Sequence, residues 1–150
     1  MAENTKQRLD RINKEVTSSV SVFNNIITNH FMNKVLKPEL ISLQKQLVIE
    51  LLRRVILKTP VDTGRARGNW QIGVGSIPKS KEDKQAQGDQ AEAGEIVASA
   101  LIKLKALGFG QIVWVSNNLD YILFLEDGGS TQAPEGMLKV SLLELEEIFK

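Results

Sequence analysis

Apolar residues recur every three or four positions through the first third of the chain, and this spacing constrains the fold most strongly. The first pattern runs from Leu9 to Phe31 as one narrow stripe, with polar residues at most of the positions between. The second runs from Leu40 to Ile56 and is broader, which is typical of a helix packed into a core. Pro60 ends it, because proline disfavours helical geometry at the preceding residue. The sequence therefore predicts two long N-terminal helices.

Further along the chain the pattern changes. Residues 69–75 alternate apolar and polar side chains, and residues 111–116 are rich in β-branched ones, so both segments predict strands. A short helical pattern from Ile96 to Leu107 lies between them, with Gly108 expected as its C-terminal cap. Residues 121–126 fit either a strand or a helix, and an amphipathic helix closes the chain. This order predicts an α+β fold with a small, mostly antiparallel sheet.

The length of 150 residues suits a single domain spanning residues 1–150. Within it, residues 1–35 are predicted to form a helical N-terminal arm, whose stripe must dock on the domain or on another chain. Residues 79–94 are rich in Lys, Gln, Glu, Asp and Ala and hold few residues able to form a core. They are predicted to form a mobile polar loop.

Composition excludes several classes of site. The chain has no cysteine, which rules out disulfides, thiolate metal sites and cysteine nucleophiles. The N-terminal stretch is polar and lacks the apolar segment of a signal peptide, and no apolar run approaches the roughly 20 residues of a membrane span. We therefore expect synthesis in the cytoplasm and no membrane partner.

Charge is distributed unevenly, although the formal net charge is only +1. Residues 31–67 contain eight Lys or Arg and three Asp or Glu, whereas residues 120–150 contain two and seven. One interpretation is head-to-tail contact between copies, in which a basic face of one meets an acidic face of the next. The other is two solvated helix faces that never meet.

Residues able to carry out catalysis are sparse. His30 is the only histidine and has no acid or second ligand nearby in the sequence. Glu144 and Glu147 share a helix face, but a solvated surface is the expected interpretation. Asp62-Thr63-Gly64 matches a short string of aspartic proteases, yet such an enzyme needs two aspartates and no second copy occurs. The sequence therefore predicts no enzyme, no cofactor and no metal site.

Five basic residues could contact DNA if the chain lined a channel. They would make phosphate contacts that ignore base sequence and weaken with salt. Alternatively, the two arginines pair with acids on the same or a neighbouring chain, and we favour this because no aromatic residues interleave the loop lysines. The five residues are Arg65, Arg67, Lys79, Lys81 and Lys84.

Two strings resemble hallmarks of the neck and tail-component family of tailed bacteriophages. They are TPVDTGRARGNW, residues 59–70, and NNLDYILFLEDGGSTQAPEGMLKVSL, residues 117–142. Asp120 departs from the family pattern, in which proline is common before the tyrosine. So does the Asp-Gly-Gly at 127–129. The matching residues of interest are Pro60, Asp62, Thr63, Gly64, Arg65, Trp70, Asn117, Asn118, Tyr121, Glu126, Gly128, Pro134 and Gly136.

All of these motif residues are expected to shape the fold. Asp62 and Thr63 can bond the turn backbone, and Gly64 tolerates a positive φ. Tyr121 can bury its ring while its hydroxyl reaches a polar partner. Pro134 and Gly136 can start the last helix.

The resemblance implies a structural virion protein at the head–tail junction. Copies are expected to form a ring with six-fold symmetry that joins the head-closure ring to the tail tube. A tail terminator that caps the tube is the alternative closest to it. Two weaker alternatives are a DNA-binding accessory protein and an aspartic hydrolase whose two copies would each supply Asp62.

Overall fold

The computed structural model describes residues 5–83, 85–86 and 91–148. The chain divides into two compact units, Met1–Ile41 and Ser42–Lys150. The predicted arm, residues 1–35, lies within the first unit, and both motif strings lie within the second.

The first unit is helical throughout its described residues. Helix α1 spans Thr5–Asn25 and is followed by a π-helical segment, Ile26–Leu36, and then by the start of helix α2. The backbone N–H of Lys37 donates to the carbonyl of Met32, five residues back. This wide turn precedes Pro38, which has no N–H and whose ring would clash with a carbonyl four residues earlier in a regular α-helix.

The core of the second unit forms around helix α2, Lys37–Lys58. Leu52, Val55 and Ile56 of this helix are completely buried, as the broad apolar pattern predicts. Burying a side chain of this size contributes roughly 1.5–3 kcal/mol. Their helix, the sheet and the later helices share one core, whose other buried members include Trp70, Ile72, Ile96, Ala100, Leu104, Leu119, Met137 and Leu145.

The sheet has two antiparallel strands, β1 (Gln71–Val74) and β2 (Val113–Ser116). Ile72 lies opposite Val115 in the register. Both predicted strands are present, and the α+β class with a small antiparallel sheet is confirmed. Each strand is shorter than predicted. For β1 the reason is that a four-residue helix α3, Arg65–Gly68, and its exit turn come directly before it.

The remaining helices are α4 (Ala91–Leu104), α5 (Ile122–Glu126) and α6 (Leu138–Ile148). The prediction for the loop 79–94 is wrong at its end, since Ala91 to Gly94 belong to α4. The expected cap at Gly108 is also wrong: α4 ends at Leu104 and the chain continues in tight turns. The glycine with positive φ in this stretch is Gly110, at 80°.

Among the described residues, no helix is both long and apolar enough to cross a membrane.

Candidate functional site

The two motif strings, far apart in sequence, are joined by the side chain of Gln132. Its amide oxygen accepts a hydrogen bond from the N–H of Val61 at 3.0 Å, and its amide nitrogen donates to the carbonyl of Val61 at 3.2 Å. A single side chain therefore bonds both polar groups of one backbone residue, as a neighbouring strand would. The turn of the first string is fixed to the second in this way.

The turn itself starts at Pro60, which is buried, and ends at Gly64. Gly64 has a φ of 76°, which confirms the predicted left-handed position. The hydroxyl of Thr63 accepts a long hydrogen bond, 3.4 Å, from the N–H of Arg65. Asp62 is exposed, and among the described residues its carboxylate has no hydrogen bond to the turn backbone, so the role expected for Asp62 is not seen.

Immediately before the turn, Thr59 connects the end of α2 to Trp70. Its hydroxyl donates to the carbonyl of Val55 and accepts a hydrogen bond from the indole Nε1 of Trp70 at 2.7 Å. Thr59 and Trp70 are both buried. A buried indole N–H without an acceptor is costly, so this bond fixes the position of the ring in the core.

The second string begins with two asparagines that bond backbone carbonyls elsewhere in the unit. Asn117 donates to the carbonyl of Ala66 in α3 at 2.8 Å. Asn118 donates to the carbonyls of Pro78 and Ser80 at 2.8 and 2.9 Å. These two amides therefore attach the exit of β2 to both ends of the segment around β1.

Two buried amides that the sequence reasoning missed hold the start of the segment predicted as a mobile loop. Asn69 donates to the carbonyl of Arg65 and accepts from the N–H of Glu82, each at 2.8 Å. Gln71 donates to the carbonyl of Ser80 at 2.8 Å. The position of Asn69 beside the buried Trp70 was the signal available in the sequence, because a polar residue next to a core aromatic needs partners once it is buried.

Glu126 forms the cap of the last helix. Its carboxylate accepts hydrogen bonds from the backbone N–H groups of Met137, Leu138 and Lys139, each at 2.9 Å. Burial acts to raise the pKa of Glu126, but these three donors and the charge of Lys139 together outweigh it, so the pKa lies below its ordinary value. A carboxylate at this position satisfies the free N–H groups of α6 and complements the helix dipole.

Two motif glycines allow this cap to form. Gly128 and Gly136 have φ values of 84° and 86°. A Cβ at Gly128 would lie 2.4 Å from the carbonyl oxygen of Pro134, and one at Gly136 would lie 2.5 Å from that of Glu126. Neither distance is tolerable, so both positions require glycine for conformation and for close backbone approach.

A cleft of about 290 Å³ lies where the two strings meet. Of the described residues that line it, Asp62 is the one acid, and Thr63 and Ser130 contribute aliphatic hydroxyl groups. The structure places no second aspartate there to complete an aspartic-protease pair. In the part of the chain that the structure describes, no three His, Asp or Glu side chains are grouped to hold a metal ion.

Exposed apolar side chains lie beside the cleft, on and next to α5. Tyr121, which lines the cleft, is 41% exposed, whereas the sequence analysis expected its ring to be buried. Leu123 and Phe124 are 72% and 63% exposed. Helix α5 is a single short turn that contains no buried residue. We call Tyr121 and Phe124, which are three residues apart and lie on the same side of this turn, the α5 patch.

The five basic candidates for DNA contact do not form one set. Arg67 is buried and donates to the carbonyls of Leu57 and Thr59, so it cannot reach a phosphate in this conformation. Lys81 pairs with Asp120 at 2.7 Å, and its hydrogen bond and charge, with a weaker effect of the charge of Arg65, lower the pKa of Asp120. Arg65 and Lys79 are exposed, and Lys84 lies outside the described residues.

The basic and acidic regions of the sequence meet within one chain at α2 and α6. Glu144 of α6 contacts both Arg54 and Lys58 of α2, the latter at 2.8 Å. Hydrogen bonds from Lys58 and Arg54 hold the pKa of Glu144 below its ordinary value. Part of the charge that could have joined neighbouring copies is therefore used within the fold.

Comparisons with protein-family models, curated proteins and solved structures find no match to this chain.

Proposed function

We propose that this chain is a structural subunit of a tailed bacteriophage, forming a ring at the head–tail junction that joins the head-closure ring to the tail tube. The observation that carries the proposal is the packing of the two family-like strings against each other. Their polar residues bond the chain's own backbone, and the α5 patch beside them is left exposed. A site arranged in this way presents a surface for another protein.

The roles of the polar residues support a scaffold over a catalytic site. Asn117, Asn118, Glu126 and Gln132 each direct their polar atoms to backbone groups at 2.8–3.2 Å. A catalytic group needs a free polar atom within reach of a bound substrate. These four side chains instead fix the relative positions of α3, the turn, α5 and α6.

The α5 patch supports a protein partner. Aromatic residues are enriched at protein interfaces, and contiguous exposed apolar groups mark such sites on soluble proteins. Tyr121 and Phe124 also supply large contact areas with little conformational entropy to lose. In the proposed ring, this patch contacts either the next copy or the adjoining ring of the particle.

The direct test removes the gene from the phage and images the products by electron microscopy. We expect full heads and separate tails of normal length. Joined, infectious particles would contradict the proposal, and abnormally long tails would indicate a tail terminator instead.

Substitutions test whether the α5 patch is the surface required for joining heads to tails. Phe124→Asp, supplied in trans, should fail to restore joined particles although the purified chain keeps its melting temperature. Ile102→Asp is the matched control, since Ile102 is 65% exposed on α4 and lies outside the patch. Ile102→Asp should restore joining. Equal rescue by both variants would show that the patch is not the contact surface.

A further inference from the structure

The hydrogen bonds of the two-stranded sheet show which backbone groups face its outer edges. Gly75 donates its N–H to the carbonyl of Ile112, which continues the register of the two strands. Hydrogen-bonded and non-hydrogen-bonded pairs alternate along an antiparallel ladder. The polar backbone groups of Ile72 on β1 therefore point away from β2, and those of Val113 and Val115 on β2 point away from β1.

The outer edge of β1 is covered within the chain. The ammonium group of Lys103, in the last turn of α4, donates to the carbonyl of Ile72 at 3.2 Å, in agreement with the outward direction of that carbonyl. Helix α4 also packs against β1. A lysine at a sheet edge is a common means of preventing further strands from pairing there.

The outer edge of β2 has no such cover. Among the hydrogen bonds of the described residues, none involves the outward N–H or carbonyl groups of Val113 and Val115. Residues 109–117 contain no charged residue and no proline, so they carry none of the usual protections of an exposed edge. We call the outward backbone groups of Val113 and Val115 the β2 edge.

The arrangement of these groups identifies the chemistry of a partner. Donors and acceptors that repeat at every second residue match the backbone of another extended strand, whereas a helix already uses its own backbone groups internally. Ile112 and Trp114 lie two residues apart on one face of the strand and are both exposed. Because neither is charged, they favour apolar side chains on the same face of an added strand.

We propose that the β2 edge binds an extended segment of a different protein, which joins the sheet as a third strand with apolar residues beside Ile112 and Trp114. The surface is distinct from the α5 patch. Main-chain hydrogen bonds would supply the affinity, and the exposed indole and isoleucine would select the side chains of the segment.

The described segments of a second copy do not supply this strand. The β1 edge of a copy is covered by Lys103, and the extended residues after β1 are held by Asn69, Gln71 and Asn118. Pairing of two β2 edges would require a two-fold axis between the copies. Here the inference rests on the proposed ring, since a cyclic ring has no such axis.

Nuclear magnetic resonance with a peptide probe tests the β2 edge in the purified full-length chain. The probe is a blocked hexapeptide of alternating valine and threonine, and the control is the same peptide with every backbone nitrogen methylated. The probe should slow hydrogen exchange at the amides of Val113 and Val115 and leave that of Trp114 unchanged, because the Trp114 N–H points to β1. No change at millimolar probe, or an equal change with the methylated peptide, would overturn the proposal.

A proline substitution locates the binding. Val115→Pro removes one outward N–H without removing a bond to β1, and proline is tolerated at such edge positions. Val74→Pro is the matched control, since the N–H of Val74 points away from β2. Val115→Pro should weaken binding of the probe about tenfold, and Val74→Pro should leave it unchanged. Equal binding by both variants would contradict the proposal, and the wild-type titration decides the matter if a variant unfolds.

Two further outcomes separate this proposal from its alternatives. If the amides of Val113 and Val115 are already protected in the concentrated pure chain and lose that protection on dilution, two copies pair at β2 and the choice of partner is wrong. The titration does not involve the phage particle, so its failure leaves the ring proposal standing. Joined particles in the deletion strain would instead refute the ring and leave strand binding at β2 intact.

Discussion

Helices α1 and α2 carry the same three-and-four spacing of apolar residues, yet the structure buries apolar side chains only in the C-terminal half of α2 and none in the described part of α1. Leu52 of α2 is 0% exposed, whereas Leu9 of α1 is 55% exposed. Side chains of α2 line cavities together with residues of β1 and α4, and Lys58 pairs with Glu144 of α6. The described part of the first unit consists of consecutive helical segments along one stretch of chain. Periodicity therefore specifies a helix and its apolar face, but not what covers that face.

We expect the largest effect on the free energy of unfolding when the same leucine-to-alanine substitution is made in α1 and in α2. Leu52→Ala should lower the free energy of unfolding by about 2–5 kcal/mol, because it leaves a cavity in a packed core. Leu9→Ala should change it by less than about 0.5 kcal/mol, because the side chain of Leu9 is exposed. Denaturant unfolding followed by circular dichroism measures both. Similar losses for the two variants would mean that the α1 stripe is covered within the single chain.

The next effect compares two threonines that each donate to a carbonyl four residues earlier. Thr59 is buried and also accepts from Trp70, whereas Thr17 is exposed and bonds only Asn13 among the contacts seen. Thr59→Val should cost about 1–3 kcal/mol, since it leaves the buried indole N–H without an acceptor. Thr17→Val should cost less than about 0.5 kcal/mol. An unchanged tryptophan emission and melting temperature in Thr59→Val would contradict the assigned role.

The smallest effect concerns pH and the cap of α6. The pKa of Glu126 in the folded chain is below its ordinary value of 4.5, so the ionised cap stabilises the fold above that pH. The stabilisation is lost as the pH falls through the folded pKa. Glu126→Gln should cost about 1 kcal/mol at neutral pH, and the difference from wild type should shrink in acid.

The control for the cap is Glu135→Gln, which removes the same charge at an exposed position between Glu126 and α6. It should leave the free energy of unfolding nearly unchanged at every pH. If Glu126→Gln follows the same pH curve as this control, the capping role is wrong.

The elements of the fold were largely predictable from the sequence. The two long helices, both strands and the closing helix follow from apolar periodicity, and Gly64 follows from the turn residues around it. The start of α4 was missed because Ala91 to Gly94 are small or polar and carry no periodic signal. Tyr121 was expected to be buried, since an aromatic residue within a motif suggests the core. Only the folded chain shows that the single turn of α5 leaves its ring exposed.

The hydrogen bonds of the candidate site could not be predicted from the sequence. Gln132 forms a hydrogen bond with Val61, 71 residues earlier in the sequence. Asn69 accepts a hydrogen bond from the N–H of Glu82, which lies in the segment that its composition predicts to be a mobile loop. Such contacts depend on three-dimensional proximity, which local propensity does not encode. The burial of Arg67 has the same origin, because an arginine beside a turn is ordinarily a surface residue.

If this chain is a structural subunit of a phage, as we propose, it is present at the head–tail junction of the particle. A cryo-electron microscopy reconstruction of the head–tail junction of purified virions tests this directly. We expect a ring of repeated density into which the Ser42–Lys150 unit fits, with the α5 patch at a protein–protein contact. Infectious virions in which this polypeptide is absent from the junction would contradict it.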